Sequence, residues 1–177
     1  GALVDATSNN IGRGRGSRNV IAGNLGHGVS VTGTGSFGNP ISGNNIGTNF
    51  NGDQGIGNGR SGIFIFESPT PVIGGTNPDV SNLISANVED GIHLQNVSGA
   101  TIQGNFIGVN ASVTSALGNR RHGIFLEGSS DTAIGGVDSS LSPGNIISGN
   151  DQGSGVHILG PANNNSILGN LIGTGIA

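Results

Sequence analysis

The stretch GIHLQNVSGATIQGNFIGVN, residues 91–110, holds three short apolar segments separated by Gly and Gly-Asn, and it recurs along the chain. A close copy, GVHILGPANNNSILGNLIGT, occupies residues 155–174, and a looser one, GVSVTGTGSFGNPISGNNIGT, residues 28–48. Between them lie two copies of a sister phrase, GIFIFESPTPVIGG at 62–75 and GIFLEGSSDTAIGG at 123–136. A weaker copy, GALVDATSNNIG, opens the chain. Repeats therefore start near Gly1, Gly28, Gly62, Gly91, Gly123 and Gly155, at spacings of 27, 34, 29, 32 and 32 residues. Over every second copy the spacing tightens to 61–64, so the repeating unit is a pair. A period of this length marks supersecondary units stacked into a solenoid.

Within each copy, apolar residues alternate with variable ones over four or five positions, which is the period of a β-strand. Ile63 and Ile65, Ile92 and Leu94, Ile124 and Leu126, and Val156 and Ile158 then face one side. Each such side chain contributes about 1.5–3 kcal/mol when buried. A second strand is expected at Ile41, Ile73, Ile102, Ile134 and Ile167. The third comes from NVIAGN (19–24), NLISAN (82–87) and NIISGN (145–150), alternating with NNIGT (44–48), NFIGV (105–109) and NLIGT (170–174). Asn24, Asn44, Asn87, Asn105, Asn150 and Asn170 fall at the corners. Gly and Asn accept the left-handed backbone that a sharp corner needs, and the Asn amides are placed to reach stacked neighbours.

The expected architecture is therefore all-β, a parallel β-helix of about six rungs with three short strands each. No helix is expected, because Gly every few positions would cost about 1 kcal/mol each in a helix interior. Residues 1–177 read as one such domain, expected to be a segment of a longer protein because Gly1 already lies inside a repeat. Uncapped ends would expose strand edges, so end-to-end self-association is expected.

Composition narrows the classes. The chain has 36 Gly, 23 Asn, no Cys and no Met, and its six basic residues are all Arg. Because the Gly residues fall at repeated offsets, order is favoured over a low-complexity coil. The lack of Cys removes disulfides and thiolate metal sites. A net charge of −4 with only 9% charged residues argues against a nucleic-acid partner. No apolar run approaches the ~20 residues of a membrane-spanning helix.

The GNxIGT and NxISGN phrases resemble the right-handed parallel β-helix repeats of the pectate-lyase-like superfamily, especially the tandem repeats of large bacterial secreted or surface proteins. The resemblance covers nearly the whole chain. It implies a right-handed coil and an extracellular or cell-surface location, with the periplasm as the alternative. It implies no single activity, since this fold hosts lyases, hydrolases, adhesins and passive stalks. Lyases of the superfamily cluster Asp around Ca²⁺ and set a basic residue near the scissile bond. Here the ten acids are scattered and Arg121 near Asp90 is a partial match, so no cofactor is expected and Ca²⁺ lacks a cluster. Gly26-His27-Gly28-Val29-Ser30-Val31 looks like a polygalacturonase motif, but its companion motifs are absent and His27 reads as part of the repeat.

If the apolar positions face inward, the residues between them form outer columns at about 4.8 Å per rung. One column reads Leu3, Ser30, Phe64, His93, Phe125, His157, and its neighbour Asp5, Thr32, Phe66, Gln95, Glu127, Leu159. Phe64, His93, Phe125 and His157, with Glu89 alongside, are the candidate ligand-binding residues, since Phe rings stack on sugars and His donates hydrogen bonds. The competing expectation is that the ten-residue insertions fold over this sheet and cover the Phe rings. Just before the strands, Arg60, Glu89 and Arg121 form a charge-alternating ladder beside His27, Ser61, Asp90, His122 and Ser154. A catalytic version of the face would use Arg121 or His122 to move protons and Asp90 to orient them. His93 and His157 are two rungs, roughly 10 Å, apart, too far to share one metal ion, and no metal site is expected. Arg13, Arg15 and Arg18 lie in GRGRGSR (12–18), which reads as an anion-binding loop or a solvated insertion.

The reading favoured by this regularity is a non-enzymatic structural or adhesive segment of a secreted or surface protein. The alternatives are a polysaccharide lyase or glycosidase acting on an acidic polymer, and glycan binding without turnover.

Overall fold

Short Ile-X-Ile and Ile-X-Leu runs bounded by Gly can form neither long strands nor helices, and the chain coils. A computed structural model describes residues 2–4, 7–14, 18–136 and 144–173, with the backbone alone for residues 2–4. Gly1, Asp5, Arg15 and Thr174, which figure in the repeat, column and loop readings above, lie outside the described residues. The strands in chain order are β1 (Ala2–Val4), β2 (Val20–Ile21), β3 (Val29–Thr32), β4 (Asn45–Ile46), β5 (Ile63–Phe66) and β6 (Val72–Gly74). They continue as β7 (Leu83–Ile84), β8 (Ile92–Gln95), β9 (Thr101–Gln103), β10 (Phe106–Ile107) and β11 (Ile124–Glu127). The last are β12 (Ala133–Gly135), β13 (Ile146–Ile147), β14 (Val156–Leu159), β15 (Ser166–Leu168) and β16 (Leu171–Ile172). One 3₁₀ turn, Pro78–Val80, is the sole helical element among the described residues.

Every strand pairs in parallel with its counterpart one coil away, giving three sheets. The first runs β1-β3-β5-β8-β11-β14, the second β6-β9-β12-β15, and the third β2-β4-β7-β10-β13-β16. The fold is an all-β parallel solenoid, as the repeat requires, but with about four turns rather than six. The shortfall lies in the second sheet, where Ile11 and Ile41 contribute isolated bridges instead of strands. Pro40 stands where Thr101 donates its N–H to the Pro71 carbonyl one coil back. Proline has no N–H for that bond, so pairing there shrinks to Ile41.

Like residues stack in register: Ile63, Ile92 and Ile124, then Ile65, Leu94 and Leu126, with Ile73, Ile102 and Ile134 opposite. These side chains are fully or almost fully buried in one core. At the corners the chain divides the labour that the sequence assigned jointly to Gly and Asn. The residue before each corner Asn takes the left-handed backbone: Gly23, Gly43, Gly104, Gly149 and Gly169, and once Ala86. The Asn that follows is thereby aimed along the coil axis.

Two asparagine ladders result. In one, Asn24, Asn58, Asn87 and Asn119 each donate Nδ2 to Oδ1 of the next member at 2.8–3.1 Å, ending at Asn150. In the other, Asn19, Asn44, Asn82, Asn105 and Asn145 do the same at 2.8–3.1 Å, ending at Asn170. Within both ladders the next Oδ1 also accepts the backbone N–H of the preceding Asn. Second amide protons reach carbonyls one coil back, as from Asn105 to Ile73 and from Asn145 to Ile102. Buried amides are thus satisfied by one another, and a side chain that costs stability alone stabilises the stack.

Candidate functional site

The outer column of the first sheet is built as expected, with Ser30, Phe64, His93, Phe125 and His157 as direct register partners. Strands about 4.8 Å apart bring successive rings to stacking distance. Phe125 stacks on His93 with ring centroids 4.6 Å apart and leans on His157 at 5.2 Å. Phe64 stacks on His27 at 4.6 Å and meets His93 edge-on at 5.2 Å. His122, from the turn before β11, stacks on His157 at 4.4 Å and flanks Phe125 at 5.5 Å. Arg121 places its guanidinium carbon 5.9 Å from the Phe125 centroid. Phe125 is left 6% exposed.

Among the described residues, the long insertions at 49–54 and 110–115 do not supply this cover. Residues 49–54 and 110–115 form hairpins over the third sheet, closed by the antiparallel bridges Thr48 to Gly55 and Val109 to Ala116. Asn45 Nδ2 donates to the Asn49 and Phe50 carbonyls, and the Ala111 N–H to the Gly52 carbonyl, tying each hairpin down.

The charged residues gather around Asp90, whose carboxylate is fully buried. Its Oδ1 accepts the His122 backbone N–H at 3.0 Å. Its Oδ2 makes no hydrogen bond and faces Arg121 Nη1 at 3.6 Å and His93 Nδ1 at 4.0 Å. On its other side His93 Nε2 lies 3.1 Å from Glu127 Oε2. The structure thus joins Asp90, His93 and Arg121 from the candidate list and adds Glu127 to them. Glu127 stands in the second outer column, and only the rung-to-rung offset of a His and a Glu side chain brings it into contact. Arg60, Glu89 and Arg121 do not form the ion-pair ladder, since among the described residues Arg121 turns to Asp90 and no ion pair joins Glu89 to either arginine. No group of three or more His, Cys, Asp or Glu able to hold a metal ion occurs among the described residues.

His122 accepts the Ser154 backbone N–H on Nδ1 at 2.9 Å, which requires a neutral ring protonated on Nε2. Burial lowers its pKa below the ordinary value of 6.5, and it outweighs the attraction of Asp90. Burial also lowers the pKa of His27, against the attraction of Glu89. A folded value below the unfolded one means that the unfolded chain binds more protons across this range. The stabilisation by neutral His is then complete above about pH 6.5 and is lost as pH falls through the lowered folded values. Urea unfolding midpoints are expected to drop between pH 7.5 and pH 5.5, and a His27→Asn, His122→Asn double variant to show a smaller drop. Equal drops in both proteins would disprove the assignment.

Chemically, the cluster can position a proton between His93 and Glu127, and its rings fill the surface column of the sheet. Among the described residues no helix is long and apolar enough to cross a membrane. No family model matches the chain, and no curated protein or solved structure matches it.

Proposed function

We propose that the chain is a non-enzymatic structural segment, a rigid parallel β-solenoid belonging to a longer secreted or cell-surface protein. The observation that supports this best is that the candidate face is occupied by itself. Phe125 is bounded by His93, His157, His122 and Arg121, and Phe64 by His27 and His93. A pyranose packs its C–H face on an exposed aromatic face, and rings stacked along the coil axis turn edges outward instead. The GNxIGT and NxISGN phrases together with the parallel coil support kinship with right-handed, pectate-lyase-like repeats of bacterial surface proteins. That kinship, and the extracellular location, belong to the same proposal.

A second reading has one observation in its favour. His93 is bracketed by a buried carboxylate, Asp90, and a part-exposed one, Glu127, with Arg121 beside Asp90. Such a relay suits proton transfer in a lyase or glycosidase acting on an acidic polysaccharide. Incubation with alginate and pectin separates the readings. The structural reading expects no ultraviolet-absorbing unsaturated product, and equal migration of the parent and a Phe64→Ala, Phe125→Ala variant in polysaccharide-containing gels. Product formed by the parent and lost in Arg121→Ala establishes the enzyme instead, while retardation lost in the double variant without product establishes glycan binding. Self-association is part of the structural proposal. Ile158, Leu159, Ile167, Leu168, Leu171 and Ile172 on the last described coil are 40–53% exposed, whereas Leu126, Ile134 and Ile147, the counterparts of Ile158, Ile167 and Ile172 one coil back, are buried. Light scattering on the same samples should show species larger than a monomer, and a clean monomer refutes this part.

A further inference from the structure

The outer side of the third sheet carries a feature that the structural reading leaves unused. A cavity of about 340 Å³ opens there, lined by Arg18, Pro78, Ser81, Leu83, Phe106 and Ala111. Leu83 and Phe106 are register partners on β7 and β10 and make its floor. One wall is the Pro78–Val80 turn, closed by the Ser81 N–H to the Pro78 carbonyl. The other is the 110–115 hairpin, held by the Ala111 N–H on the Gly52 carbonyl. The volume is in the range of sites that take small organic molecules, and the walls are fixed before any ligand arrives.

Arg18 gives the cavity its chemistry. Its Nη1 donates to Asn45 Oδ1 at 3.0 Å, and Asn45 is fully buried with its Nδ2 held by the Asn49 and Phe50 carbonyls. The guanidinium is therefore anchored at one nitrogen, and no carboxylate pairs with it among the described residues. Asp53, on the neighbouring hairpin, is engaged by Asn49 Nδ2 at 2.6 Å. A fixed, part-buried cation with no counter-ion among the described residues, above an apolar floor, complements an anion that also has an apolar body.

We propose that this cavity binds a small organic carboxylate carrying a flat or ring-shaped apolar group. The carboxylate accepts hydrogen bonds from Arg18, and the apolar group covers Phe106 and Leu83. Inorganic anions fit less well, because they gain nothing from the floor and lose hydration to it.

The test is titration of the isotopically labelled 177-residue chain, followed by amide shifts, with benzoate, cyclohexanecarboxylate, benzamide and inorganic phosphate as separate probes. Both carboxylates are expected to saturate in the millimolar range and to move the amides of Arg18, Leu83, Phe106 and Ala111. Benzamide and phosphate are expected to bind at least about tenfold more weakly, a difference of about 1.4 kcal/mol. Arg18→Gln should weaken benzoate about tenfold or more, the size expected for a charge-assisted bond. Phe106→Ala should weaken it by several-fold, whereas Arg13→Gln, at an exposed position, should leave it unchanged. Unperturbed spectra elsewhere in each variant exclude unfolding as the cause. Absence of saturable shifts up to about 20 mM, equal affinity for benzamide, or undiminished binding by Arg18→Gln would overturn the proposal.

Discussion

Replacing Asn105 by Ala is expected to lower the unfolding free energy by at least about 3 kcal/mol. The side chain is 1% exposed and stands in the middle of its ladder. Its Oδ1 accepts from Asn82 Nδ2 at 2.9 Å, and its Nδ2 donates to Asn145 Oδ1 at 2.9 Å and the Ile73 carbonyl at 3.0 Å. Truncation strands a buried donor on Asn82 and removes a donor from both acceptors, on each side of the gap. A buried polar group left without its partner costs about 1–3 kcal/mol, and more than one is affected here. Asn163→Ala, on the exposed surface, should stay within about 0.5 kcal/mol of the parent. Urea denaturation followed by circular dichroism measures both. A loss below 1 kcal/mol for Asn105→Ala would mean that the ladder is a by-product of coiling rather than a source of stability.

The second large effect is expected at a corner. Gly47 has φ of +86°, and a Cβ there would meet the Ser85 carbonyl and lie 2.6 Å from Asn87 Oδ1. Gly47→Ala therefore adds left-handed strain, roughly 1–2 kcal/mol, to a clash with the Ser85 backbone carbonyl and with the Asn87 amide of the ladder. The corner cannot open without cost, because the Gly47 N–H bonds the Ile21 carbonyl and its own carbonyl takes the Ile56 and Gly57 N–H groups. A loss of about 3 kcal/mol or more is expected, with a melting midpoint at least several degrees lower. Gly26→Ala is the contrast, with no atom within 4 Å of the added Cβ and no positive φ, and it should melt close to the parent. If the two variants melt alike, the tight corner is wrong.

How far these features could be read in advance differs along the chain. The register was legible to the residue, since aligning Gly28, Gly62, Gly91, Gly123 and Gly155 pairs Phe64 with His93 and Phe125 with His157, as the structure does. Strand periodicity and stacking of like residues suffice for that. The corners were legible in composition but not in assignment: both Gly104 and Asn105 accept a left-handed turn, Gly at lower cost, and Gly104 takes it while Asn105 joins the ladder. Asn58, Asn82, Asn119 and Asn145 alternate in the ladders with the corner residues, which only the three-dimensional stack reveals. The hairpins at 49–54 and 110–115 were visible as insertions, yet spacing alone carries no information on which sheet a loop folds over. Within the candidate site, Asp90 and Arg121 were placed together by their neighbouring rungs, but the complete burial of Asp90 has no signature in the spacing. The His93 to Glu127 contact crosses between two outer columns, which a column-by-column reading keeps apart.

The ladders have a direction. In every step the amide of one coil points its N–H toward the higher-numbered coil and receives with its oxygen from the lower-numbered one. Side-chain amide dipoles that would cancel in a disordered surface are therefore added in line, twice over, along the axis of the molecule. Each polarises the next. A β-solenoid of this kind, whose strand dipoles lie across the axis, thus has an electrical axis of its own, with its positive pole at the end where Asn150 and Asn170 stand. Two such rods meeting end to end are attracted head to tail and repelled tail to tail.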